Sequence, residues 1–146
     1  KKFNRHFSSS LVFRGRLCFP ENQPYFINRA LGFKNEYVRG YEYYVIDGTH
    51  YAMGRANLRC RIIDRIVHQR WIAFMQYLPL RVYAKVYDDL GYVYTKNAVD
   101  SKLSNRFLNG YGAGIDLVVS YYFKFRIEYS FNHLGQNGLF LHGNKE

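Results

Sequence analysis

The chain has 146 residues, a size that suits one domain. Net charge is +10, from 21 Lys+Arg against 11 Asp+Glu, and aromatics reach 19% of residues, with 15 Tyr and 12 Phe. This balance points either to anionic partners or to basic side chains lining one interior wall; the absence of any run of about 18 apolar residues excludes a transmembrane helix, and two cysteines, Cys18 and Cys60, make neither a disulfide framework nor a zinc site.

The opening Lys1-Lys2-Phe3 carries no Met and no signal segment, so the chain reads as a piece of a longer or processed protein. Residues 3–18 alternate loosely, with Phe7, Leu11, Phe13 and Leu17 against His6, Ser8, Ser10, Arg14 and Arg16. Residues 19–50 show no period and form a long connection rich in Tyr, Phe, Ile and Val, which reads as a folded loop rather than a disordered one. Over residues 51–63, Arg55, Asn57, Arg59 and Arg61 share one face; Ala56, Leu58, Cys60 and Ile62 share the other. Residues 64–78 form an apolar connection that either extends its flanking strands or lies at an interface. Residues 80–89 place Arg81, Lys85 and Asp89 opposite Leu80, Val82, Ala84 and Val86. A polar loop spans 95–108. In 110–121, Ile115, Leu117, Val119 and Tyr121 face away from Gly112, Gly114, Asp116 and Ser120. A short turn at Tyr121-Tyr122 leads to the cleanest strand, 123–132, where Phe, Ile and Tyr alternate with Lys124, Arg126, Glu128 and Ser130. Residues 138–143 read as a last, short strand.

Alternation alone also fits a soluble sandwich. Three features favour a membrane barrel. The strands are long, near the length a tilted spanning strand requires. One face is aromatic and aliphatic while the other is crowded with Arg and Lys. Aromatics gather at strand ends, at Tyr92 and Tyr94, Tyr121 and Tyr122, and Trp71 and Tyr77, as in an interfacial girdle. The expected fold is an all-β, antiparallel transmembrane β-barrel. About six strands cannot close a membrane barrel, so residues 1–146 read as the C-terminal part of a larger one. Its lumen side would carry Arg55, Arg59, Arg81, Lys85, Asp116 and Glu128.

The long loop then has a polar, basic wall to fold on. An arginine entering that space needs a carboxylate, and the inward candidates are Asp89, Asp116 and Glu128. Gly91 leaves room beside Asp89 for a close approach. Glu36, Glu42 and Asp47 read as solvated or loop-capping.

Val38-Arg39-Gly40-Tyr41 resembles the VRGF/Y signature of the outer-membrane protein assembly barrel superfamily, the BamA/TamA-like bacterial surface antigen family. Tyr87-Asp88-Asp89-Leu90-Gly91 is similar to that family's strand signature, with Tyr87 where Phe is usual. The resemblance spans essentially the whole chain. It implies the last six strands of a sixteen-stranded barrel, a loop of about 19–50 folded into the lumen, and an Arg39–Asp89 pair holding it there. Two departures stand out. The chain stops at Gly143-Asn144-Lys145-Glu146 instead of an aromatic residue, and the last strand is short.

The implied function is insertion and assembly of outer-membrane proteins, with a client strand templated at the barrel seam. The implied setting is the bacterial outer membrane. Partners would be the lipid bilayer, client outer-membrane proteins and periplasmic or lipoprotein accessory subunits. Alternatives within the same type of barrel are a two-partner secretion pore and the anchor of an upstream patatin-like lipid hydrolase. No catalytic residue and no cofactor is expected. No GxSxG, Walker loop, HExxH or CxxC is present. The five His lack ligand spacing, so no metal site is expected either. Gly110-Tyr111-Gly112-Ala113-Gly114 mimics a nucleotide loop, but it enters a strand and not a helix; small residues there leave room for neighbouring side chains or the loop. Nucleic acid is disfavoured, because the basic residues share faces with the expected lumen.

Overall fold

A computed structural model of the chain describes residues 6–19, 29–32, 36–68, 77–96, 102–119 and 123–145. The described residues form eight strands: β1 (Phe7–Arg16), β2 (Arg29–Leu31), β3 (Ile46–Asp47), β4 (His50–His68), β5 (Tyr77–Tyr94), β6 (Phe107–Val119), β7 (Phe123–Asn132) and β8 (Asn137–Lys145). Six of them form one antiparallel sheet in the order β1-β4-β5-β6-β7-β8. β2 and β3 pair within the β1–β4 connection. The sheet is all-β and open: β1 and β8 are its edges, and the described strands do not close into a barrel. The Tyr121-Tyr122 turn, Trp71 and most of 64–78 lie outside the described residues, although β4 and β5 absorb both ends of that connection.

The sheet is long because period two is kept over long runs, and it breaks phase once. β4 and β5 pair from His50↔Tyr94 to His68↔Tyr77, with a bulge between Arg61 and Ile63. A bulge inserts one extra residue and shifts the alternation by one. Ile62 and Ile63 are therefore both exposed, and the strict pattern seen in the sequence ends there. β8 corrects the expectation of a short final strand. It runs nine residues and pairs with β7 from Phe131↔Asn137 to Phe123↔Lys145. The backbone ladder continues where Gly138, Gly143, Asn144 and Lys145 carry no apolar alternation.

The distribution of burial reverses that of a soluble sheet. Leu11, Phe13 and Leu141 are 64%, 75% and 71% exposed, and Leu58, Val86, Ile115, Ile127 and Phe125 join them on one continuous apolar face. On the opposite face Lys85, Asp89, Asp116 and Glu128 are 3%, 0%, 1% and 0% exposed. Soluble proteins seldom expose so wide an apolar patch, and they bury charges chiefly when these are paired, as they are here. The compact core lies on the polar side, under the insertion: Ala30, Leu31, Val38, Tyr41 and Ile46 of the β1–β4 insertion pack against Tyr51, Met53, Val93, Leu103 and Leu108 at one end of that face. The insertion thus folds onto the charged side of the sheet, as the sequence predicts.

Candidate functional site

The site begins with a turn. The Tyr41 amide donates to the Val38 carbonyl at 3.0 Å, closing Val38-Arg39-Gly40-Tyr41. Gly40 has φ +87°, the conformation a type II turn demands at its third position. A side chain there would also press on the Phe131 carbonyl oxygen, which lies 2.9 Å from where its Cβ would stand. The turn therefore projects Arg39 into the sheet while its backbone lies flat on β6 and β7.

Asp89 receives Arg39 from three directions. Arg39 Nε donates to Oδ2 at 2.8 Å, Nη2 to Oδ1 at 2.5 Å, and the Arg39 backbone amide to Oδ2 at 3.2 Å. The remaining Nη1 donates to Asn57 Oδ1 at 2.7 Å and lies 3.5 Å from Glu128 Oε1. The guanidinium plane sits 3.8 Å above the Tyr87 ring. This is the planar, bidentate and stacked use that distinguishes Arg from Lys. Burial opposes the Arg39 charge, but the Asp89 hydrogen bonds and charge outweigh it and raise the pKa further. The expected pair, and the role of Gly91, are therefore both present: a Cβ at Gly91 would meet Val38 Cγ2 at 2.6 Å.

The glycines of β6 explain how strands two apart communicate. Lys85, Gly114 and Glu128 are in register across β5, β6 and β7, as are Tyr87, Gly112 and Ser130. Lys85 crosses Gly114 to reach Glu128 Oε1 at 2.5 Å and Asp116 Oδ1 at 2.6 Å. Tyr87 crosses Gly112 and bonds Ser130 Oγ at 2.6 Å. At Gly110 the crossing element is the insertion itself, whose Arg39 carbonyl occupies the space a Cβ would take. Removing the Tyr87 hydroxyl leaves a buried Ser130 hydroxyl without that partner. Tyr87→Phe should cost about 1–3 kcal/mol while keeping Arg39 stacked; a thermal or denaturant midpoint equal to the parent's would show the bond contributes nothing.

The other expected lumen residues divide. Arg59 Nε lies 3.6 Å from Asp116 and Arg126 Nε 3.9 Å, so both lean on the same buried carboxylate. Arg55 Nε is 3.7 Å from Asp89, stacks its guanidinium on Tyr37, and donates to the Tyr37 carbonyl. Arg81 occupies the polar face but stays apart, its side chain 43% exposed and paired with Asp64 at 3.2 Å. It belongs to the far end of the sheet beyond the bulge.

The insertion also rests on the β7–β8 hairpin. Asn132 Nδ2 donates to the Gly40 carbonyl at 2.9 Å, Tyr41 OH bonds His133 Nδ1, and Tyr44 OH donates to Gln136 Oε1 at 2.7 Å. Glu42 corrects the expectation of a solvated side chain. Its side chain is 11% exposed and lies 3.2 Å from His142 Nε2. Burial raises its pKa, partly opposed by His142. Glu42, Glu128 and His142 come together within 4.8 Å, although Glu42 and His142 stand 100 residues apart in the chain. No local spacing rule finds such a group. Glu42 and His142 border a cavity of about 600 Å³ that Arg14, Tyr37, Arg55 and Arg126 also line.

Compared with family models, with curated proteins and with solved structures, the chain matches none.

Proposed function

We propose that the six-stranded sheet is one side of a larger outer-membrane β-barrel that inserts and assembles other outer-membrane proteins. The apolar face meets lipid, the charged face lines the lumen, and the insertion folds inward to plug part of it. The observation that carries this reading is the Arg39–Asp89 fork: the two sequence signatures meet side chain to side chain on the face opposite the exposed apolar one. The reading needs no reacting group. The Arg39 turn, Asn57, Asp89 and the β7–β8 hairpin fix the lumen wall, and the free edge of β8 offers backbone donors and acceptors to a client strand. Templating would rest on that free edge, since β8 is not short. Accessory periplasmic or lipoprotein subunits would feed clients to this edge.

The test is reconstitution of the full-length protein in liposomes with an unfolded outer-membrane barrel as client. The folded fraction is followed by its heat-modifiable migration. Faster client folding than in empty liposomes supports assembly. Unchanged client folding, together with depleted cells that lose secretion of one partner protein but keep normal barrel levels, would replace this reading by a secretion pore.

A further inference from the structure

Away from the arginine fork, one nitrogen faces carboxylates on two sides. His142 Nε2 lies 3.3 Å from Glu42 Oε1, 3.2 Å from Glu42 Oε2 and 3.5 Å from Glu128 Oε2. The three side chains come from the insertion, β7 and β8. A ring nitrogen carries at most one proton, which cannot serve both carboxylates. The separations also exceed the roughly 2.7–2.9 Å of a charge-assisted N–H···O⁻ bond. They match a different geometry. Ligand atoms held tetrahedrally at about 2.0–2.1 Å from a zinc-type ion lie about 3.3–3.4 Å from one another.

A second observation points the same way. Glu128 is 0% exposed, and its Oε2 has no hydrogen-bond donor among the described residues. The nearby cations approach the other oxygen: Lys85 Nζ is 2.5 Å and Arg39 Nη1 3.5 Å from Oε1. Oε2 is left aimed at His142. Glu42 and His142 also border the cavity of about 600 Å³, so a fourth coordination position would open into it.

We propose that Glu42, Glu128 and His142 bind a divalent transition-metal ion of the zinc type, with one position open to the cavity. One imidazole and two carboxylates at low coordination number suit such an ion. Calcium and magnesium demand six or more oxygens. Arg55 and Arg126, on the same cavity, favour an anion or a polarised water in the open position. Lys85 and Arg39 draw charge from Glu128, so binding should be weaker than in a closed four-ligand structural site. Bound metal would tie the insertion to both strands of the β7–β8 hairpin. None of this requires the assembly function.

The experiment takes the full-length protein in detergent, strips it with chelator, removes the chelator, and titrates it with Co²⁺ alone. The visible bands of a tetrahedral cobalt site should grow to one ion per chain and bleach when Zn²⁺ is added. His142→Gln and Glu42→Gln should each abolish the bands. Both variants leave the Arg39–Asp89 fork in place, and an unchanged proteolysis pattern verifies their fold. Absence of saturable bands in the parent protein overturns the proposal. So do bands that survive either substitution, which would place the ion at other groups.

Discussion

Asp89→Ala should release the insertion from the sheet, at a cost of about 3–5 kcal/mol of the stability that holds it there. The loss is large because of what remains. Arg39 is 6% exposed, and without Asp89 it would keep, among the described residues, Glu128 at 3.5 Å, the neutral Asn57 and the Tyr87 ring, none of which replaces the bidentate carboxylate. Its backbone amide would lose its acceptor as well. Arg39→Ala should be milder, because the orphaned Asp89 keeps Arg55 at 3.7 Å. The double variant should be more stable than the sum of the single losses implies, since neither charge is then stranded. Arg39→Lys should not rescue, because one ammonium replaces neither the fork nor the stacking on Tyr87. Native-state hydrogen exchange and limited proteolysis across residues 36–47 measure the release directly. An Asp89→Ala protein whose insertion stays as protected as the parent's would show that the pair is not the anchor.

Gly110→Ala should produce the same released state without touching a charge. The new methyl group would fall where the Arg39 carbonyl oxygen lies, and both partners are backbone, so no rotamer change relieves the clash. Overpacking a tight site costs about 1–3 kcal/mol, and here relief requires the insertion to lift. β5, β6 and β7 should stay paired, so protection should fall in the insertion and persist in the sheet. Gly143→Ala is the control: nothing lies within 4 Å of its Cβ position, and the effect should stay within about 0.5 kcal/mol. If Gly110→Ala and Gly143→Ala behave alike, the close approach of turn and strand does not exist in solution.

The parts of this structure that were legible in the sequence are those governed by a short period. The two faces of β4 to β7 follow from alternation, because side chains on a strand cannot do otherwise. For Arg39, chemistry alone left three inward carboxylates, Asp89, Asp116 and Glu128, and the resemblance of the two signatures is what singled out Asp89. Three features were hidden. The continuation of β4 past Ile62 was obscured by a bulge that breaks the phase, and the ends of β8 by glycine and polar residues held in a ladder by backbone alone. The Glu42–His142 contact was hidden for another reason: it joins residues brought together only when the insertion folds back on the sheet.

The crossing of Lys85 over Gly114 bears on how these strands find their alignment. An apolar face that repeats every second residue looks the same after a slide of two residues, and a glycine at 110, 112 and 114 accepts such a slide as readily. The greasy pattern therefore rules out odd displacements and is blind to even ones. The charges are not. Sliding β6 and β7 together by two residues would set either Asp116 or Gly112 opposite Lys85 in place of Gly114, and would carry Glu128 about 7 Å along the strands from its present alignment with the ammonium. Either slide breaks the buried Lys85–Glu128 contact that the observed alignment makes. Lys85 and Glu128 act as a key that distinguishes alignments the apolar side cannot tell apart.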